Sequence, residues 1–392
     1  MTGTGFGAGG GPRLLMVLQD LPFFISHRMI VAEAAHARGF EVHVAAPPDS
    51  RHEPALQAAG LIFHPLRMNR GWQAPLGEVR ALTRIWRLVR RLKPDLVHLV
   101  SIKPVIYGGL AARLASVPAV VAAITGLGLP FSGTSLAIRA MRPVFKGLYA
   151  LSFRHPNLRV IFQNHDDRAV FERDNLVRPG DIVMIKGCGV DLTQFRPSTE
   201  PMPSPPVVIF SARLLAEKGL NEFAEAARLL KAEGVAARFM IVGRYDDQNP
   251  TGISPERMAE WVDEGLVEYC GFSTAMDDTL RQADIACLPS YGEGMPRSLM
   301  EAAATGLPMV TTTAPGCREA VIPGETGMLV PVRDARALAE ALRPLILDPA
   351  LRRRMGAAAR RQAIAEISAT DFIAQSLAAY DAVLAQAPGK GA

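Results

Sequence analysis

The 392-residue chain has only four cysteines, Cys188, Cys270, Cys287 and Cys317, and no two of them form a C-x-x-C pair. That excludes a disulfide scaffold and a zinc ribbon, and it predicts reduced, buried thiols. Its eight histidines fall into no H-E-x-x-H or other ligand spacing, and no carboxylate cluster suited to calcium or magnesium is visible, so neither a metal nor another cofactor is expected. Aromatic residues make up 6% of the chain and are nowhere interleaved with basic ones as in a nucleic-acid module, so nucleic acid is not an expected partner. The N-terminal stretch lacks a charged region followed by an apolar core, so no secretory signal is read there. Residues 114–138 carry no charge, but two prolines and three glycines interrupt them. That pattern predicts a buried strand followed by a loop, rather than a membrane span.

What is present is a composition of 49% hydrophobic and 21% charged residues, with a formal net charge of +5. These values describe a globular chain long enough for two domains, with a bias toward anionic partners such as a nucleotide diphosphate or an acidic membrane surface. Residues 5–10 satisfy G-x-G-x-x-G, yet they precede the first predicted strand instead of following one, so the motif is a decoy in a disordered tail. From residue 13 onward, apolar strands alternate with helices: RLLMVL, a loop over 19–24, a helix over 26–38, EVHVAA, LIFHPL, a basic helix near 77–92, DLVHLV, a helix after Pro104, and AVVAAI. Continuous apolar strands between helices predict parallel sheets covered on both faces, that is, an α/β protein. His98 lies within such a strand and reads as a satisfied core histidine. Ligands of such sheets bind beyond the carboxyl ends of strands, which singles out residues 19–28, 101–107 and 125–131. The predicted organisation is a tail at 1–12, a first domain at 13–196, a proline-rich linker at 197–206, a second domain at 207–370 and a final helical segment at 371–392.

In the second half, VVIFS (207–211) is followed by ARLLAEKG, which places Arg213 and Lys218 in a loop before a helix near 221–233. Two cations beside a helix N-terminus can neutralise a diphosphate. RFMIVG (238–243) and VEYCGF (267–272) read as further strands. Residues 284–288 form another, and a short loop leads from it to Pro296 and a helix over 297–305, stopped at Gly306. Glu293 lies in that loop and Glu301 in that helix. Alone, either acid would read as solvated surface charge.

The phrase EGMPRSLMEAAATGLPMV (293–310) resembles the signature of retaining nucleotide-sugar glycosyltransferases of the large bacterial group, the family 4 type. The resemblance implies two doubly wound, Rossmann-like α/β domains facing a cleft, the GT-B fold. It implies that Glu293 lies against the donor sugar and Glu301 holds the ribose. The backbone at Gly294, Met295 and Pro296 would approach sugar and diphosphate, while Gly243, Gly271 and Phe272 border the nucleotide. The R-x-x-x-x-K-G of Arg213 and Lys218 resembles the same family's phosphate clamp. GCGVDLTQF (187–195) resembles the last strand and turn of its first domain, and residues 371–386 its returning helix.

A narrower likeness lies in SIKPVIYGGLAARLASVPAVVAAITGLG. This stretch resembles the acceptor domain of transferases that extend undecaprenyl-diphosphate-linked sugars, such as the bacillosaminyl-lipid N-acetylgalactosaminyltransferase type and capsular galactosyltransferases. It implies a lipid-linked saccharide acceptor in cell-surface glycan assembly, with Lys103, Thr125 and Gly126 on the acceptor side. The histidine that many broader relatives carry where Thr125-Gly126 falls is absent here. His27 and Arg28, in the loop after the first strand, are further acceptor-side candidates. Residues 134–157 alternate Arg139, Arg142 and Lys146 with apolar residues and contain no acid, which predicts a helix able to lie on the inner face of the cytoplasmic membrane. The expected enzyme is cytoplasmic and peripherally membrane-associated, with UDP as the nucleotide by resemblance. A UDP-N-acetylglucosamine 2-epimerase-like isomerase and a silent nucleotide-sugar-binding module are the alternatives.

Overall fold

The computed structural model describes residues 11–68, 75–128, 131, 136–200, 204–246 and 249–387. Of the expected tail, residues 1–10 lie outside these, as do 201–203 of the expected linker, 129–130 and 132–135 of the expected acceptor loop and basic helix, and 388–392 at the C-terminus. The chain forms two compact units, Met1–Ile185 with Phe372–Ala392, and Lys186–Asp371.

The first unit contains β1 (Arg13–Val17), β2 (Glu41–Ala46), β3 (Ile62–Pro65), β4 (Leu96–Val100), β5 (Ala119–Ile124), β6 (Leu158–Phe162) and β7 (Ile182–Met184). All pair in parallel, in the order β3-β2-β1-β4-β5-β6-β7. Every residue of β4 and β5 is buried, because helices cover both faces of the sheet and an unbroken apolar strand can bury both of its own. The strand order reverses between β1 and β4, which opens a crevice above their carboxyl ends.

Three sequence expectations need correcting in this unit. Residues 19–24 are not a loop: the chain turns helical at Leu21, where Asp20 accepts a hydrogen bond from Phe23 N at 2.8 Å and Pro22 fits the first turn. The single helix expected over 26–38 is instead two, Leu21–His27 and Met29–Ala37, broken at Arg28 (φ −132°). The final strand is Ile182–Met184, not 187–195, where only Val190 makes an isolated bridge, to Ser368.

From Lys186 the chain packs with the second unit. Lys186 pairs with Glu366 at 2.7 Å, and Arg360 donates to the carbonyls of Leu192 and Phe195 at 3.0 and 2.7 Å. The last helix, Ala369–Leu384, supplies core to the first unit. Tyr380 and Val383 are fully buried, Asn157 Nδ2 donates to Val383 O at 2.7 Å, and the Tyr380 hydroxyl meets His98 Nδ1 at 2.5 Å.

The second unit contains β8 (Val207–Ser211), β9 (Arg238–Val242), β10 (Glu268–Tyr269), β11 (Ile285–Leu288), β12 (Met309–Thr312) and β13 (Gly327–Val330). Its parallel order is β10-β9-β8-β11-β12-β13, so the reversal falls between β8 and β11. The strand expected over 267–272 is reduced to two residues at the sheet edge, which leaves Cys270 exposed rather than buried; the other three thiols are buried.

Candidate active site

The two loops that leave the carboxyl ends of β8 and β11 carry the charged residues of the second unit. After β8 the chain passes through Arg213, one tight turn at Ala216–Lys218, and Gly219 into the helix Leu220–Ala232. Gly219 has φ +78°, and a Cβ there would lie 2.1 Å from the carbonyl oxygen of Pro289. Only glycine combines that conformation with so close a backbone approach. The contact fastens one loop to the other. Tyr291 N donates to Glu217 O at 2.9 Å, Ser290 Oγ to the same carbonyl at 3.3 Å, and the Tyr291 hydroxyl to Glu222 Oε1 at 2.7 Å.

So joined, the loops bring Lys218 Nζ to 2.5 Å from Glu293 Oε1, with the two side chains 15% and 16% exposed. The pair is shielded enough for its charge to count and open enough for an anionic ligand to compete for the ammonium. Glu293 is held from behind as well: its N–H donates to Pro315 O at 3.0 Å, and Gly316 (φ +75°) packs against its carbonyl so closely that a Cβ would lie at 2.2 Å. Arg213 is half exposed, and its Nη1 donates to Asp246 Oδ2 at 2.8 Å. Its partner is Asp246, from the loop after β9.

Pro296 caps the helix Arg297–Thr305 and Gly306 (φ +78°) ends it. The proline is the residue before the helix, not its first helical position. Gly294 stands beside Glu293 in the connecting loop, and Met295 is buried beneath it. Glu301 is buried, and Arg297 Nε donates to its Oε1 at 2.6 Å. Burial pushes the Glu301 carboxyl above its ordinary range, opposed by the Arg297 charge. At the end of β9, a Cβ on Gly243 would lie 1.9 Å from Ala212 O. Gly271 has φ +71°, and Phe272 is half exposed with the Arg244 guanidinium 3.5 Å above its ring. Such an arginine–aromatic platform offers a flat face to a base.

In the first unit the candidates follow β1, β4 and β5. His27 is half-buried, stacked on Phe23 at 4.1 Å, with Ser26 Oγ 2.7 Å from its Nδ1. Arg28 is buried beneath, with its guanidinium 5.2 Å from the ring centre of Phe372. After β4, Ser101 adopts φ +77°, a sparsely populated conformation for a side-chain-bearing residue. Its hydroxyl lies 3.3 Å from Thr125 Oγ1, and Gly126 follows with φ +121°. Lys103 is almost wholly buried; its Nζ donates to both Glu78 oxygens at 2.8 and 3.1 Å, and the Tyr107 hydroxyl joins the same carboxylate at 2.8 Å.

On the helix Leu136–Ser152, Arg139 is exposed, Arg142 donates to Phe131 O at 2.9 Å, and Lys146 pairs with Asp174 at 2.9 Å. Phe145 and Tyr149 face the core, while Met141, Val144 and Leu151 are exposed. Among the described residues no helix is long and apolar enough to cross a membrane, and no group of three His, Cys, Asp or Glu could hold a metal ion.

Sequence reading missed Asp246, Glu222, Tyr291 and Glu78. Each is joined to its partner by strand order rather than by spacing along the chain, so no local pattern marks it.

Residues 14–164 match the family model described as glycosyl transferase 4-like, and residues 205–348 match that of glycosyl transferases group 1. The N,N'-diacetylbacillosaminyl-diphospho-undecaprenol alpha-1,3-N-acetylgalactosaminyltransferase of Campylobacter jejuni is 30% identical over 361 residues, 87% of this chain and 93% of that protein. The UDP-Gal:alpha-D-GlcNAc-diphosphoundecaprenol alpha-1,3-galactosyltransferase of Escherichia coli is 27% identical over 277 residues, 68% of this chain and 70% of that one. Among solved structures, sucrose-phosphate synthase from Thermosynechococcus elongatus superposes with a TM-score of 0.77 at 20% identity, covering 96% of this chain and 100% of its own. Anabaena HepE in complex with UDP-glucose gives 0.73 at 17% identity, covering 94% and 100%. The two parallel α/β units are those of the GT-B fold, and the chain belongs to this family of glycosyl transferases.

Proposed function

We propose that the protein moves a sugar from a nucleotide diphosphate sugar, with UDP as the nucleotide, to a lipid-diphosphate-linked saccharide, retaining the anomeric configuration. The observation that carries this reading is the Lys218–Glu293 pair above the crevice of the second sheet, with Arg213 on the adjoining loop. The names of the two curated relatives, both of which act on undecaprenol-linked diphosphosugars, support the acceptor class.

In this reading Lys218 turns from Glu293 to the diphosphate when the donor binds, and Arg213 joins it. Their positive charge stabilises the departing nucleotide. Glu293, released from the ammonium, positions the sugar and offsets positive charge at its anomeric carbon. Glu301, in the middle of the helix Arg297–Thr305, accepts hydrogen bonds from the ribose hydroxyls, and the backbone over Gly294–Pro296 closes on the sugar. Gly243 and Gly271 let the backbone approach the nucleotide, and Phe272 borders the base. The bond from anomeric carbon to phosphate oxygen breaks as the acceptor oxygen attacks from the same face, and the leaving phosphate takes the acceptor proton. A covalent glycosyl-enzyme would need a second carboxylate beside the sugar, and none is assigned there. The two cations supply the charge this scheme requires, so it calls on no metal.

On the acceptor side, the saccharide meets His27 at the end of the helix Leu21–His27 and the loop carrying Thr125 and Gly126. The buried Arg28 and Lys103 hold these segments in place. Arg139, with Met141, Val144 and Leu151, seats the first unit on the inner face of the cytoplasmic membrane, where a lipid-linked acceptor resides.

Purified protein, radiolabelled UDP-sugars and membranes bearing lipid-linked acceptor test the proposal. Label passing into the organic phase is the expected result, and NMR of the product should show the donor's anomeric configuration. A sugar altered without acceptor would mean an isomerase, and nucleotide bound but unchanged would mean a binding module. Sedimentation with anionic vesicles, lost in Met141→Ser/Val144→Ser, tests the membrane contact.

A further inference from the structure

Ser101 carries a backbone strain that its contacts within the protein do not offset. We propose that its hydroxyl and that of Thr125 together bind one hydroxyl of the acceptor saccharide. This inference rests on the transfer reading above, to which it adds a residue and a mode of binding.

The two residues stand side by side. Ser101 follows the last residue of β4 and Thr125 the last of β5, and these strands pair in parallel with Val100 opposite Ala123. Ser101 N donates to Ala123 O at 3.2 Å, and Ser101 O accepts from Val105 N at 3.0 Å. The chain therefore turns from strand to helix at Ser101, and it does so with φ +77°. Glycine takes that conformation without strain, whereas a residue with a Cβ does not. The distortion continues on both sides: Pro104–Gly108 is a π-helix, and Gly126 has φ +121°. Strained backbone and π-helical turns both gather where proteins hold ligands. All three lie at the carboxyl ends of β4 and β5, and β4 borders the strand-order reversal of the first sheet.

The hydroxyls supply the chemistry. Ser101 Oγ lies 3.3 Å from Thr125 Oγ1, and this is the only hydrogen bond of either hydroxyl among the described residues. The distance is long for O–H···O, so the contact is too weak to offset the strain. Each hydroxyl has one proton and two lone pairs. After one donates to the other, a proton on one oxygen and lone pairs on both remain. Both residues are half-buried. A third hydroxyl closes a ring in which every group donates once and accepts once. Lys103, two residues on, is committed to the Glu78 carboxylate. The site therefore presents neutral groups, which suit a sugar hydroxyl rather than the lipid's diphosphate.

Substitution at residue 101 separates binding from structure, because Ser101→Gly relieves the strain and removes the hydroxyl at once. Its Tm is expected at or above that of the wild type, while the acceptor KM rises about tenfold with the donor KM unchanged. Thr125→Val should raise the acceptor KM to a similar extent, and Thr125→Ser, which keeps the hydroxyl, should recover most of that loss. The assay uses a radiolabelled UDP-sugar and membranes bearing lipid-linked acceptor, each varied in turn. A wild-type acceptor KM in Ser101→Gly, or a Thr125→Ser as impaired as Thr125→Val, overturns this inference and leaves the transfer reading standing. So does a rise confined to the donor KM, which would put the two hydroxyls on the donor sugar. A Ser101→Gly that melts well below the wild type overturns it as well, since the serine would then be holding the fold. No transfer by the wild type overturns the transfer reading and this inference together.

Discussion

Lys218 and Glu293 neutralise one another at 2.5 Å, so removing either changes its partner as well as itself. Lys218→Ala and Glu293→Ala are each expected to lower turnover about a hundredfold or more, with the melting temperature within a few degrees of wild type. Because the two act as a unit, the double variant should be little worse than the poorer single one. Steady-state kinetics on the four proteins decides, and near-normal rates in either single variant would remove the assigned roles.

His98 offers a test away from the site. Burial and the nearby Arg28 charge lower its pKa to about 3. The unfolded chain takes up that proton first, at about pH 6.5. The histidine's contribution is therefore complete above pH 6.5 and is lost as pH falls toward the folded value, by about 1.4 kcal/mol per pH unit. His98→Gln should flatten the fall of stability between pH 6.5 and 5, whatever it does to stability at pH 7. Urea titrations at several pH values read that slope, and an unchanged slope would count against it.

At the scale of elements, the junction of the two loops depends on backbone contact more than on side chains. Gly219 and Gly316 both have positive φ and face carbonyl oxygens at distances no Cβ tolerates. Gly219→Ala and Gly316→Ala should each cost about 1–3 kcal/mol in urea unfolding and weaken UDP binding by calorimetry. Wild-type stability in both would mean the loops yield easily. Much of the element plan was legible in the sequence, since β2 and β8 coincide with their apolar runs and Gly306 stops its helix where expected. The early helix at Leu21 was not, because Asp20 and Pro22 act as a start signal inside a stretch that looks like a loop. The site was half legible. Lys218, Glu293 and Glu301 lie in recognisable phrases, whereas Asp246, Glu222 and Glu78 reach their partners only through the order of strands.

For the whole molecule, the two units make separate predictions. A chain of residues 186–371 alone is expected to fold and to bind UDP within about threefold of the full-length affinity without transferring sugar. A chain stopped after residue 371 should keep that second unit as a protease-resistant core while the first is digested, because Tyr380 and Val383 would be missing from its interior. Limited trypsinolysis followed by mass spectrometry distinguishes the two, and a resistant first unit in the shortened chain would contradict the assignment. The return of the helix Ala369–Leu384 to the first unit also bears on synthesis. Of the two units, the one whose synthesis begins first is the last to be finished, since it must wait for residues that follow the whole of the other. A message cut short just after the second unit would yield a polypeptide whose oldest part never closes.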